Sequence, residues 1–117
     1  MRAALRHILS LDVPDLATWS PPGADFAIGV RLLVGPDGAE GEESFDLTVC
    51  SPGWLTARVR DESIYDARHH LVVETFDYPL LASYLERRVE ACRGSSWDEV
   101  AEQLARLGYW EFEDYQE

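Results

Sequence analysis

The segment from Phe26 to Cys50 constrains this chain more than any other. Phe26, Ile28, Val30, Leu32 and Val34 point one way, while Ala27, Gly29 and Arg31 point the other. That period of two is the mark of a strand with one buried face. Gly35-Pro36-Asp37-Gly38 follows, in which proline presets φ and Asp-Gly tolerates reversal. After an acidic stretch, Phe45, Leu47 and Val49 turn inward against outward Ser44, Asp46 and Thr48. Two alternating strands joined by turn chemistry predict a β-hairpin with an acidic loop.

The remaining elements are fitted around that hairpin. Arg2–Ser10 reads as a weakly patterned first strand, placed at an edge. Val13–Gly23 carries Pro14, Pro21 and Pro22, so a loop is expected with at most one helical turn near Asp15–Trp19. Ser51-Pro52-Gly53 ends the third strand, and Trp54 opens an irregular or short helical connection through Tyr65, with its ring as a plug beneath the strand's exit. His69–Phe76 is apolar on both faces through Leu71, Val72 and Val73, which predicts a central strand packed on each side. Asp77 caps a helix that tolerates Pro79 in its first turn, buries Leu81, Leu85, Val89 and Cys92, and stops at Gly94. Ser96 and Glu99 form a capping box for a second helix, whose apolar face is Trp97, Val100, Ala101, Leu104 and Leu107, ending at Gly108. Tyr109–Phe112 returns as a last strand or lies as an extended tail. Strands followed by two helices predict one α+β domain over residues 1–117: an antiparallel sheet of four to five strands with two C-terminal helices packed on it.

Charge separates the chain into four parts. The formal net charge is −12. Residues 1–36 are net neutral, 37–66 carry −6, 67–93 are neutral and 94–117 carry −6. Such a charge argues against nucleic acid and anionic membrane as partners. A uniformly solvated surface explains acids in general, but two acidic and two neutral segments look more like two faces. No run approaches the roughly 18 apolar residues of a membrane span. Arg2, Arg6 and His7 interrupt the N-terminal apolar residues, so no signal-peptide core is seen and the expected compartment is the cytoplasm.

Catalytic chemistry finds little support. His69 and His70 are adjacent and would face opposite sides of a strand, and no HxH or HExxH pattern is present. Glu40, Glu42 and Glu43 lack the ligand order of a calcium loop. No GxSxG or phosphate-cradling loop occurs, and Cys50 and Cys92 fall at buried positions. The expectation is therefore no enzyme, no metal and no cofactor.

What remains is a protein-contact surface. Glu42, Glu43, Asp61, Glu62 and Asp66 form one candidate patch, and Glu111, Glu113 and Asp114 a second. Trp110 and Tyr115 are candidate anchors, since tryptophan and tyrosine are enriched at interface hot spots. Trp110 and Phe112 equally fit a role in closing the core.

The string Gly38-x-x-Gly41-Glu42-Glu43-Ser44-Phe45-Asp46-Leu47-Thr48-Val49-Cys50-Ser51-Pro52-x-Trp54-Leu55 resembles the central signature of the immunity protein 8 family. His70-x-x-Val73 leading into Phe76-Asp77-Tyr78 is similar to it as well. So is the closing Ser96-Trp97-x-Glu99 with Gly108-x-Trp110-Glu111-Phe112-Glu113-Asp114-Tyr115. The resemblance spans nearly the whole chain. It implies a bacterial immunity protein that neutralises a cognate polymorphic toxin in the producing cell, with the two patches as candidate toxin-binding surfaces. A basic, nuclease-type toxin would suit the charge. Two other readings use the same residues: a non-catalytic adaptor for a basic housekeeping protein, and a small carboxylate- or metal-dependent hydrolase. An adjacent toxin gene would favour immunity over the adaptor, and ion-dependent turnover would mark the hydrolase.

Overall fold

The computed structural model describes residues 1–113. The hairpin stands at its centre, with β2 (Ala27–Pro36) and β3 (Glu43–Cys50) antiparallel from Val34↔Glu43 to Ala27↔Cys50. Ile28, Val30, Leu32, Val34, Phe45, Leu47 and Val49 are all buried on one face, as the alternation requires. Each large side chain so buried contributes on the order of 1.5–3 kcal/mol. Gly38 and Gly41 take φ of 79° and 100°, a region most side chains avoid, and let the loop turn back on its own strand. The Arg6 guanidinium clamps that loop by donating to the carbonyls of Pro36 (2.8 Å) and Ala39 (2.7 Å).

β1 (Ala3–Leu9) pairs antiparallel with β2 and forms the expected edge, with a register irregularity between Leu5 and His7. On the inner face lie α2 (Tyr78–Glu90) and α3 (Trp97–Leu104). Leu81, Leu85 and Val89 of α2 and Val100, Ala101 and Leu104 of α3 complete the core with the sheet. Asp77 caps α2 by accepting from the Leu80 N–H at 3.2 Å. Ser96 caps α3, accepting from the Glu99 N–H at 3.3 Å, but the Glu99 carboxylate reaches the Ser95 N–H (2.8 Å) rather than that of Ser96. The capping box is thus displaced by one residue. Trp19, Phe26 and Phe76 meet edge to face and close one end of the core.

The α+β class and the four to five strands agree with the sequence reading, with three departures. A third helix, α1 (Pro52–Glu62), occupies the connection read as irregular or short. It buries none of its residues, so no apolar stripe announced it. Because α1 carries the chain back along the sheet, the next strand, β4 (His70–Val72), pairs parallel with β3 rather than antiparallel. β4 is also short and lies at the sheet's edge, whereas a central strand over His69–Phe76 was expected. The apolar run that suggested two-sided burial leaves Val72 at 45% exposure. Tyr109–Trp110 does return as a strand, β5, antiparallel to the start of β3. β4 and β5 therefore share one edge of β3, each covering a different part of it.

Candidate functional site

The two acidic segments are far apart in sequence, and β5 brings them together. Gly108 is buried where a Cβ would come within 3.1 Å of Phe45 and 3.2 Å of Asp46, a tight approach that glycine relieves as the chain enters β5. β5 then sets Trp110 beside Phe45 and Tyr109 beside Asp46. The Trp110 ring lies nearly parallel to Phe45, 8° between planes and 6.4 Å between centres, and makes a T-shaped contact with Phe112. Its indole N–H donates to the Glu43 carboxylate at 2.7 Å. One residue on, the Ser44 N–H donates to the Glu111 carboxylate (2.7 Å) while the Glu111 N–H donates to the Ser44 carbonyl (3.2 Å). The base of the acidic hairpin loop and the acidic C-terminal stretch are thus one hydrogen-bonded unit.

The α1–β4 connection joins the same edge. Arg68 donates to Glu113 at 3.0 Å, bringing the loop that holds Asp66 against the end of β5. Asp66 itself accepts from the Arg68 N–H (3.1 Å). Upstream, Glu62 pairs with Arg58 at 2.7 Å, and the Arg58 guanidinium lies over the rings of Trp54 and Tyr65. Trp54 stacks on His70, whose Nε2 is 2.7 Å from the Tyr65 hydroxyl. Trp54 therefore belongs to an aromatic staple that holds α1 to β4.

The nominated residues sort by what their side chains already do. Glu43, Glu62, Glu111 and Glu113 each hold a partner within the chain. Glu42 and Asp61 hold none among the described residues, and both are exposed. Asp66 is exposed with one oxygen engaged. Trp110 is half-buried, packs against Phe45 and Phe112, and is engaged at its N–H. Asp114 and Tyr115 lie outside the described residues. One participant was not nominated: Asp46, whose carboxylate takes both Nε (2.8 Å) and Nη2 (2.9 Å) of Arg31 on the outer face of the hairpin. That hydrogen bonding, above all, raises the Arg31 pKa, and the charges of Asp46 and Glu111 add to it.

No three His, Cys, Asp or Glu side chains among the described residues converge as metal ligands. His69 sits beside the Ala105 carbonyl, its Nε2 at 2.6 Å, and against the Tyr109 ring. Cys50 and Cys92 are buried free thiols, and burial pushes both pKa values up. A thiol held protonated in this way is a poor nucleophile. No helix among the described residues is long and apolar enough to cross a membrane.

What the arrangement offers is an edge of β3 where acidic groups from three segments meet over a hydrogen-bonded base. Charged edges of this kind suit recognition of a complementary surface. No curated protein and no solved structure matches the chain. The family model described as Immunity protein 8 matches residues 3–115, essentially its whole length, so the chain belongs to that family and its general role is that of an immunity protein with a toxin as its protein partner.

Proposed function

We propose that this chain is a cytoplasmic, non-catalytic inhibitor that neutralises a basic toxin by docking the acidic edge of β3 onto it. The observation that carries this reading is the pairing of β5 with the start of β3, which unites the hairpin and C-terminal acids. Glu42, Asp61 and Asp66 supply the charge that faces the partner, since no basic side chain among the described residues pairs with them. Glu43, Glu111 and Glu113 hold the edge in shape through Trp110, Ser44 and Arg68. Trp110 braces the edge from within, and Tyr115, outside the described residues, is kept as a candidate aromatic contact.

Association between oppositely charged proteins is steered over about a Debye length, roughly 8 Å at physiological salt. With −12 on a chain of this size, steering acts well before contact. A basic toxin is the natural counterpart, and enzymes that grip nucleic-acid phosphates are basic for that purpose. A nuclease-type toxin therefore fits best.

The test is co-expression of this chain with the toxin domain encoded by the neighbouring gene. Growth is restored and the two proteins co-purify in a complex that weakens as salt rises. Loss of growth with no co-purifying complex would overturn the inhibitor reading and leave the adaptor ahead.

A further inference from the structure

The open flank of β4 lies on the same edge of β3 as the acidic unit. Between it and α2 runs a groove of about 500 Å³, with Val72, Phe76, Leu80 and Tyr84 among its walls. Leu80 is 66% exposed, Val72 45% and Tyr84 37%, so three large apolar side chains face solvent around one concavity. Single exposed apolar residues are ordinary, but a cluster around a concave site marks a place of contact.

The backbone supplies a second, independent feature. β4 hydrogen-bonds to β3 through the His69 carbonyl, which accepts from Thr48 N–H, and the Val73 N–H, which donates to the Cys50 carbonyl, both at 2.9 Å. Alternate residues of a strand address the same neighbour. Val72 therefore turns its N–H and C=O away from β3, toward the open side. No described strand pairs with that flank.

We propose that an extended segment of the toxin adds to the free edge of β4 as a further strand. It seats an apolar side chain among Val72, Leu80 and Tyr84 and sets a basic residue against Glu74 and Asp77. The proposal rests on the inhibitor reading and specifies how the same sheet edge is recognised. Charge chooses the occupant. Glu74 has no partner among the described residues, Asp77 spends one oxygen on the Leu80 N–H, and Arg87 is the basic residue among those lining the groove, so the lining still carries more acid than base. A second copy would bring the same carboxylates and another −12 toward them, whereas a basic toxin brings the complement. Added strands derive affinity from main-chain bonds and selectivity from the pocket for a side chain, and both components are present here.

Two variants of the full chain, bound to the toxin domain from the neighbouring gene, test this. Leu80→Gln keeps a good helix former and the net charge while removing the apolar wall. Val72→Pro removes the outward N–H at an edge position where proline is tolerated. Each weakens the complex about tenfold or more, through faster dissociation, with the salt dependence unchanged. In the wild-type complex the Val72 amide becomes protected from hydrogen exchange. A complex indifferent to both variants, with Val72 exchanging as in the free chain, overturns the groove while leaving the inhibitor reading intact. Weakening by Leu80→Gln alone, without amide protection, overturns strand addition. A toxin-free dimer dissociated by Leu80→Gln makes a second copy the occupant. Absence of any wild-type complex removes both readings.

Discussion

At the scale of single residues, Trp110 joins the fold to the surface above it. Its ring packs on Phe45 and its N–H ties down Glu43, 67 positions away in sequence. The alternation Trp110-Glu111-Phe112 shows that one of these faces is buried, but the deciding contact is with a strand that local sequence cannot locate. Trp110→Ala lowers the unfolding free energy by about 3 kcal/mol, the usual scale for removing a large packed aromatic, as read by urea denaturation. Unchanged stability together with lost toxin binding would instead make Trp110 an interface anchor. Glu99 offers a pH signature. The Ser95 backbone N–H, then the Ser95 side chain, holds its carboxyl below the ordinary value of 4.5. A lowered folded-state pKa gives stability that is full above 4.5 and lost as pH falls through the lowered value. Glu99→Gln therefore loses stability less steeply than wild type between about pH 5 and pH 3. Parallel pH profiles for the two proteins would contradict that assignment.

At the scale of elements, the hairpin and the helices α2 and α3 were legible because each keeps its period. β2 and β3 alternate over most of their length, and α2 and α3 bury residues at helical spacing between recognisable caps. α1 was not legible, since a helix that buries nothing has no stripe to read. The parallel register of β4 follows from α1 and was lost with it. What does mark the start of α1 is Ser51, which is 2% exposed. Its hydroxyl accepts from the Phe26 N–H (3.0 Å) as well as the Trp54 N–H (3.3 Å), so it joins β2 to α1 as well as capping the helix. Ser51→Ala orphans a buried backbone donor besides losing a cap, and costs about 2 kcal/mol in urea unfolding. A loss below about 0.5 kcal/mol would reduce Ser51 to an ordinary exposed cap.

At the scale of the whole molecule, charge and topology act together. The sequence showed two acidic segments, and nothing in it showed that they touch. Glu42, Asp61 and Asp66 were legible as candidates from composition alone. The split between these and the carboxylates that brace the edge depends on β5 and on Arg68. The groove beside α2 was not legible, because Leu71–Val73 read as buried on both faces until β4 proved to be an edge.

The central claim is that the exposed acids of this edge draw in the toxin. The measurement that meets it most directly is the association rate with the neighbouring toxin domain across a salt series, for wild type and for Glu42→Lys/Asp61→Lys. Neither substituted side chain has a partner to lose among the described residues, so the fold is retained. The wild-type rate falls steeply with salt, and the variant is about tenfold slower at low salt with a shallower dependence. Equal rates and equal salt dependence for the two proteins would contradict it.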